Sequence, residues 1–403
     1  MSNRLRYVVM TLSCLLVFYI VIGGVLGKGS GSNEETYRDL GVYSEVLSRI
    51  KSDYVTQPNL QDVTKGAVRG LLEALDPYST YFTPEQFKDY LAHPDPGPAT
   101  VGIFVSKKFG FATVVSVLPG SPADKAGIVP ADLVDRINGQ PVRELSALQI
   151  QRQLAGQPGT QVEVWVVSES RGEPQKMTLA RAVLSNAPVT SQMENGGTGY
   201  VRVESFDSGE AERVEAKVKQ LVGQGARSLI LDLRDCAGGS TTEAVKTASL
   251  FIQNRLITYT YGQRDPRHDL MAEHADTVFR MPLAVLINGA TAGPAEIVAD
   301  AVLNDKRGNV VGVRSFGVGV VQKAIPVGDG SGLLLSIAKY YGPDGRAIQD
   351  NGVTPNVVVP TPGQVAVNGG PLVSPKDYGT PKDIQLQKAI QVLQQAQPPA
   401  RVA

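Results

Sequence analysis

Cysteine is scarce in this chain, and neither sign of charge is in excess. Among 403 residues there are two cysteines, Cys14 and Cys236. Cys14 lies in an apolar N-terminal stretch, so no disulfide is expected between them and none frames the fold. Thirty-nine basic residues balance 39 acidic ones. With no long basic run, nothing in the charge favours nucleic acid or a strongly charged partner. There is no internal repeat, and nothing calls for a cofactor. His268 and His274, with Asp269 and Glu273, fit no standard ligand spacing, so a solvated loop is expected there and no metal. What is present is a globular composition, 42% hydrophobic and 19% charged, with 42 glycines and 26 prolines to make turns between short strands. The length suits two or three domains.

Residues 7–27, "YVVMTLSCLLVFYIVIGGVLG", carry no charge; Arg4 and Arg6 precede them and Lys28 follows. As a helix the run would span about 31 Å, the thickness of a hydrocarbon core. A cleaved signal has a shorter apolar region, about 7–15 residues. A retained anchor is therefore expected, with a cleaved signal as the alternative. In either case the basic side stays in the cytoplasm and the bulk of the chain faces the periplasm or cell exterior.

Residues 34–97 read as a helical region. In "YSEVLSRIKSDYV", Val46, Leu47, Ile50 and Tyr54 recur at helical spacing. "TPEQF" carries a capping signature, Thr83 with Gln86 three residues on. The period shortens over 98–183, where "TVGIFVS", "FATVVSVL" and "TQVEVWVV" are β-rich and "LSALQIQRQL" is helical. Over 184–362 buried strands ("RSLILDL", "MPLAVLIN") alternate with helices ("SGEAERVEAKVKQLVG", "GPAEIVADAVLN"), which implies a βαβ core with helices packed on a sheet. "VRSFGVGVVQ", residues 313–322, reads as strand, Gly-bracketed turn and strand. Residues 363–403 are a Pro- and Gly-rich linker and a short helix. The fold class expected is α/β with an inserted β-rich domain and a helical N-terminal segment, behind the segment 1–28.

Over about residues 38–395 the chain resembles the C-terminal processing peptidases, or tail-specific serine proteases. "LDPYSTYFTPEQF" is similar to their N-terminal segment. "VGIFV", "PGSPADKAGI" and "DLVDRINGQPV" resemble their PDZ domain. "LILDLRDCAGG", "AVLINGATAGPAEIVADAV", "SFGVGVVQ" and "AKYYGPDGRAIQDNGVTPNVVV" resemble the motifs of their protease core. The resemblance implies a crotonase/ClpP-like core and peptide cleavage by a serine–lysine dyad assisted by a glutamine. The family's serine lies three residues before a glutamate, here Glu296, so its position is Gly293. The lysine lies 25 residues further, at Val318, and the glutamine at Gln322. The glutamine is kept and both reacting side chains are missing. Glycine offers no nucleophile and valine accepts no proton.

Other residues are weak substitutes. Thr291 is near the serine position without a base; a turn or capping role is expected of it, and of Ser315. Lys323 points to the opposite strand face from Gln322. Cys236, beside acidic Asp232 and Asp235 and far from histidine, is expected to be packed and inert. Gly238 and Gly239 are the candidates for an oxyanion pocket. For the PDZ domain the resemblance implies that Val101, Gly102, Ile103 and Phe104 receive a peptide's terminal carboxylate. Leu148, Ile150 and Leu154 would line the groove for an apolar terminal side chain, or else serve as core. The expected partners are C-terminal tails of extracytoplasmic proteins, an active protease relative, and the membrane through the N-terminal segment. The expected role is a non-catalytic scaffold or regulator, the alternative an active peptidase with a non-standard catalytic arrangement.

Overall fold

A computed structural model describes residues 31–108, 111–168, 172–184, 189–273, 279–360 and 378–396. The run 7–27, Cys14 and His274 lie outside these residues. Among the described residues no helix is long and apolar enough to cross a membrane.

The chain divides into two compact units after Gly70. The N-terminal helices are α1 (Gly31–Asp53) and α2 (Leu60–Glu73). On α1, Tyr37, Leu40, Val42 and Val46 are exposed. In the second unit β1 (Thr80–Phe82) precedes α3 (Pro84–Ala92). Helix α3 opens on the expected capping box, Thr83 N donating to Gln86 Oε1 at 3.1 Å and Gln86 N to Thr83 Oγ1 at 3.4 Å.

A β-rich domain follows: β2 (Ala99–Thr100), β3 (Ile103–Lys108), β4 (Phe111–Val117), α4 (Pro122–Lys125), β5 (Leu133–Ile137), β6 (Gln140–Pro141), α5 (Ala147–Leu154), β7 (Ala155–Gly156), β8 (Gln161–Val167) and β9 (Gln175–Ala180). Its sheet runs β3-β4-β5-β8-β9, antiparallel throughout. Alternate strand residues, among them Val114, Val134, Val162 and Val164, face a core that Ile150 and Leu154 of α5 complete.

The remaining elements are β10 (Thr190–Glu194), β11 (Thr198–Arg202), α6 (Glu210–Gly223), β12 (Ser228–Asp232), α7 (Thr241–Ser249), β13 (Leu256–Tyr261), β14 (His268–Met271), β15 (Leu283–Ile287), α8 (Pro294–Asn304), β16 (Asn309–Gly312), β17 (Val320–Pro326), β18 (Gly332–Tyr341), β19 (Val357–Val358) and α9 (Ile384–Ala396). The main sheet has the order β10-β11-β12-β15-β16-β19, with only the β10–β11 pair antiparallel. β12 and β15 are buried on both faces, which is why they read as unbroken apolar runs. Leu229, Leu231, Val285 and Ile287 pack with Val214 and Val218 of α6 and Val298 of α8; Ile230, Ala284 and Leu286 pack with Leu386 and Leu393 of α9. Truncating a core leucine such as Leu231 would cost about 2–5 kcal/mol.

A second sheet, β1-β18-β13-β14 with β17 also on β18, joins distant segments. In the stretch 313–322 the chain leaves the main sheet after Gly312, and β17 begins only at Val320. No first strand forms over 313–316, because its amides bond elsewhere: Ser315 N to Val353 O and Phe316 N to Thr291 O.

Candidate functional site

The site lies at the carboxyl ends of the parallel strands, where open α/β sheets place their ligands. β15 ends at Ile287, and Gly293 caps α8 with φ 62° and ψ −121°. L side chains seldom adopt that backbone, yet the sharp strand-to-helix turn that carries a nucleophile demands a strained conformation of this sort. A Cβ added at Gly293 would meet nothing within 4 Å. Shape and room for a serine are both present; the side chain is a hydrogen.

Glu296 ties this turn to the one bearing Val318. Its buried carboxylate accepts from Gly293 N at 2.9 Å, Ser315 Oγ at 2.5 Å, Gly317 N at 2.7 Å and Val318 N at 2.8 Å. Burial pushes the carboxyl up to about 7, and the four donors pull the other way. The family spacing of Gly293, Glu296 and Val318 therefore corresponds to one hydrogen-bonded unit. The Val318 side chain packs against the cluster of Ala237 and Ala292 of the core and Val115 of the β-rich domain, which Phe316 and Phe104 also cover. An ammonium group in its place would enter an apolar seam.

One residue escapes a reading by reacting side chains alone. Pro294 follows Gly293 and starts α8, a position whose fixed φ suits proline. In the nucleophile elbow of α/β-hydrolases the backbone N–H of the residue after the nucleophile serves the oxyanion. Proline has no N–H. The signal was legible in "AGPAE" as a missing donor. The candidates Gly238 and Gly239 lie close by: Ala292 N donates to Cys236 O at 2.9 Å, and Ala237 bridges Ala292 in parallel. Gly239 pairs with Phe206, whose carbonyl accepts from Ser240 N at 2.8 Å.

The substitute residues are all occupied. Thr291 Oγ1 donates to Leu233 O at 2.7 Å and accepts from Asn288 N at 3.0 Å, fully buried. Ser315 is bound to Glu296 and to Val353 N. Cys236 lies in the main core, and burial pushes its thiol well up, the opposite of a reactive cysteine. Lys323 is exposed. Val318 precedes β17 and a bulge falls between Val321 and Gln322, so strand alternation does not relate 318 to 322. Gln322 Nε2 donates to Tyr78 O at 2.9 Å. His268 is exposed on β14, and among the described residues no group of three His, Cys, Asp or Glu is placed to hold a metal.

Beside the site Arg234 is completely buried, bound to Asp232 (Nη2 to Oδ2, 2.6 Å) and Asp383 (Nη2 to Oδ2, 2.6 Å), with its guanidinium 3.8 Å from the centre of the Tyr378 ring. Arg234 holds the Asp232 carboxyl below its ordinary range against the effect of burial. The cluster fixes the start of α9 to the end of β12.

In the β-rich domain Gly102 takes φ 86°, and a Cβ there would sit 2.3 Å from Ser121 Cβ. Only glycine fits. Gly102 O accepts from Leu118 N at 2.8 Å, and Val101 and Ile103 are core residues. Phe104 reaches the seam at Val318. Leu148 packs with Phe82, Phe87 and Tyr90, while Ile150 and Leu154 belong to the core, so none of the three is committed to an open groove. Tyr78 hydrogen-bonds to Ser106 of β3, and burial pushes its phenol up to about 12.

Comparison with known proteins agrees with this architecture. Residues 197–359 match peptidase family S41 and residues 113–167 match a PDZ domain. The chain is 30% identical to the carboxy-terminal-processing protease of Bartonella bacilliformis, covering 83% of this chain and 78% of that one. It is likewise 30% identical to the carboxy-terminal processing protease CtpA of Bacillus subtilis, over 87% and 75%. Among solved structures, the photosystem II D1 C-terminal processing protease superposes with TM-score 0.64 at 26% identity, over 79% of this chain and 86% of that one. With its α/β core and inserted PDZ domain, the chain belongs to the C-terminal processing peptidases of family S41.

Proposed function

We propose that this protein is a non-catalytic member of the family that binds C-terminal tails of extracytoplasmic proteins through its PDZ domain, as a scaffold or as a regulator of an active relative. The observation that carries the reading is the pair Gly293 and Val318, held by Glu296 in a frame that lacks both nucleophile and base. Loss of the nucleophile or base costs about 10⁶-fold in a related serine protease. Pro294 adds the loss of an oxyanion donor. The PDZ match supports tail capture by strand addition with the carboxylate in a nest of amides. The uncharged run behind Arg4 and Arg6 supports an extracytoplasmic location; protection of the protein from protease added to cells without an outer membrane would refute it.

The test offers the full chain an unfolded protein such as β-casein, and separately a labelled peptide with an apolar C-terminus. No time-dependent cleavage is expected, with saturable binding that disappears when the peptide is amidated. Digestion of the casein by the pure protein would overturn the non-catalytic reading. Equal binding of the amidated peptide would overturn tail recognition.

A further inference from the structure

The residues of α5 divide among capping, core packing and outer contacts, and Gln151 stands apart from all three. Ser146 and Gln149 form the capping box that starts the helix. Ile150 and Leu154 fill the PDZ core, and Leu148 packs on Phe82 and Phe87. Arg152 donates to His93 O and Pro94 O, on the outer side. Gln151 faces the carboxylate loop: its Nε2 donates to Ile103 O at 3.0 Å. Its Oε1 is buried, and among the described residues nothing donates to it. A carboxamide fixed at one atom and unpaired at the other presents an unmet acceptor between α5 and the residues 101–104.

We infer that Gln151 selects the side chain at the very end of the tail, favouring a terminal residue that carries a hydrogen-bond donor, such as threonine, over an apolar one of the same shape. The inference rests on the reading of the PDZ domain as a tail binder. With the tail's carboxylate in the loop, its last side chain lies against the loop and the facing turn of α5, where Gln151 stands. A hydroxyl there donates to Oε1 while Nε2 keeps Ile103 O. A methyl in the same position leaves the acceptor unpaired, and a site built around a buried polar group discriminates against the partner that lacks the donor. The sequence suggested an apolar terminal pocket from Leu148, Ile150 and Leu154; the structure engages those three elsewhere.

Threonine and valine are nearly isosteric, so the test uses two labelled peptides differing only in a final threonine or valine, each also as its amide, titrated into the full chain by fluorescence anisotropy. The threonine tail is expected to bind about tenfold more tightly, equal to about 1.4 kcal/mol. In Gln151→Leu the order should reverse, with the valine tail tighter. Equal affinities for both tails, with the amides still excluded, would overturn the inference and leave tail recognition standing. If neither tail binds, or the amides bind as well as the acids, tail recognition itself fails and the inference with it. A Gln151→Leu protein that keeps the threonine preference would assign the selectivity to another residue.

Discussion

At the residue scale, the proposed reading turns on a frame around Glu296 whose two turns carry Gly293 and Val318. Serine at Gly293 would have room, lysine at Val318 would enter the seam with Phe104 and Val115, and Pro294 would still withhold an amide. These losses rank differently in a restoration experiment. Gly293→Ser with Val318→Lys returns the nucleophile and the base but not the donor. Adding Pro294→Ala supplies an N–H worth about 10²–10³ in kcat. Hydrolysis of an unfolded substrate should therefore be barely measurable in the double variant and about a hundredfold faster in the triple one. Equal rates in the two would mean that the N–H after the nucleophile position plays no part. The proposed dyad positions rest on the spacing to Glu296, and that spacing coincides with hydrogen bonds from Gly293, Gly317 and Val318 to one carboxylate. Pro294 acts through a missing backbone N–H, which proline marks in the sequence but which a reading of reacting side chains passes over.

At the element scale, local signals translated well and distant pairings did not. The capping box at Thr83 and the apolar runs of β12 and β15 each depend on neighbouring residues and gave helix and strand directly. The sheet that pairs Phe82 with Gly332 and Tyr259 with Tyr341 depends on contacts hundreds or tens of residues apart, and no period announces it. The same holds for the docking of α9, which rests on Arg234 between Asp232 and Asp383. Removing one partner of a buried ionic cluster strands the others, at about 3–5 kcal/mol. Arg234→Ala should lose that much in urea denaturation and should expose the amides of α9 to hydrogen exchange before those of β12. A loss under about 1 kcal/mol with α9 still protected would show that Leu386 and Leu393 hold the helix without the cluster.

At the scale of the whole molecule, the balance of buried carboxyls sets how stability answers pH. Glu296 and Asp300 are both pushed up to about 7 by burial, Asp300 additionally by Asp344, with Arg346 acting in the opposite sense. The folded chain therefore keeps protons that the unfolded chain releases at ordinary carboxylate values. Their contribution is fully present below those values and is lost as pH rises through about 7. Asp232 acts in reverse: held low by Arg234, it stabilises above the ordinary range and ceases to do so only in strong acid. Stability should thus be greatest near about pH 4 and decline as pH rises from there to about 7, levelling off above it. Asp300 is the part to test, since its carboxyl is buried beside Asp344 and Asn304 and makes none of the hydrogen bonds that clasp the turns of Gly293 and Val318. Asp300→Asn removes the titration there, so the variant should gain about 1–3 kcal/mol over the parent at pH 8 and little or nothing at about pH 4. Thermal unfolding at the two pH values reads the difference directly. Parallel curves for parent and variant would place the decline elsewhere, at Glu296 in the clasp between the turns of Gly293 and Val318 or at Glu210, which burial also pushes up.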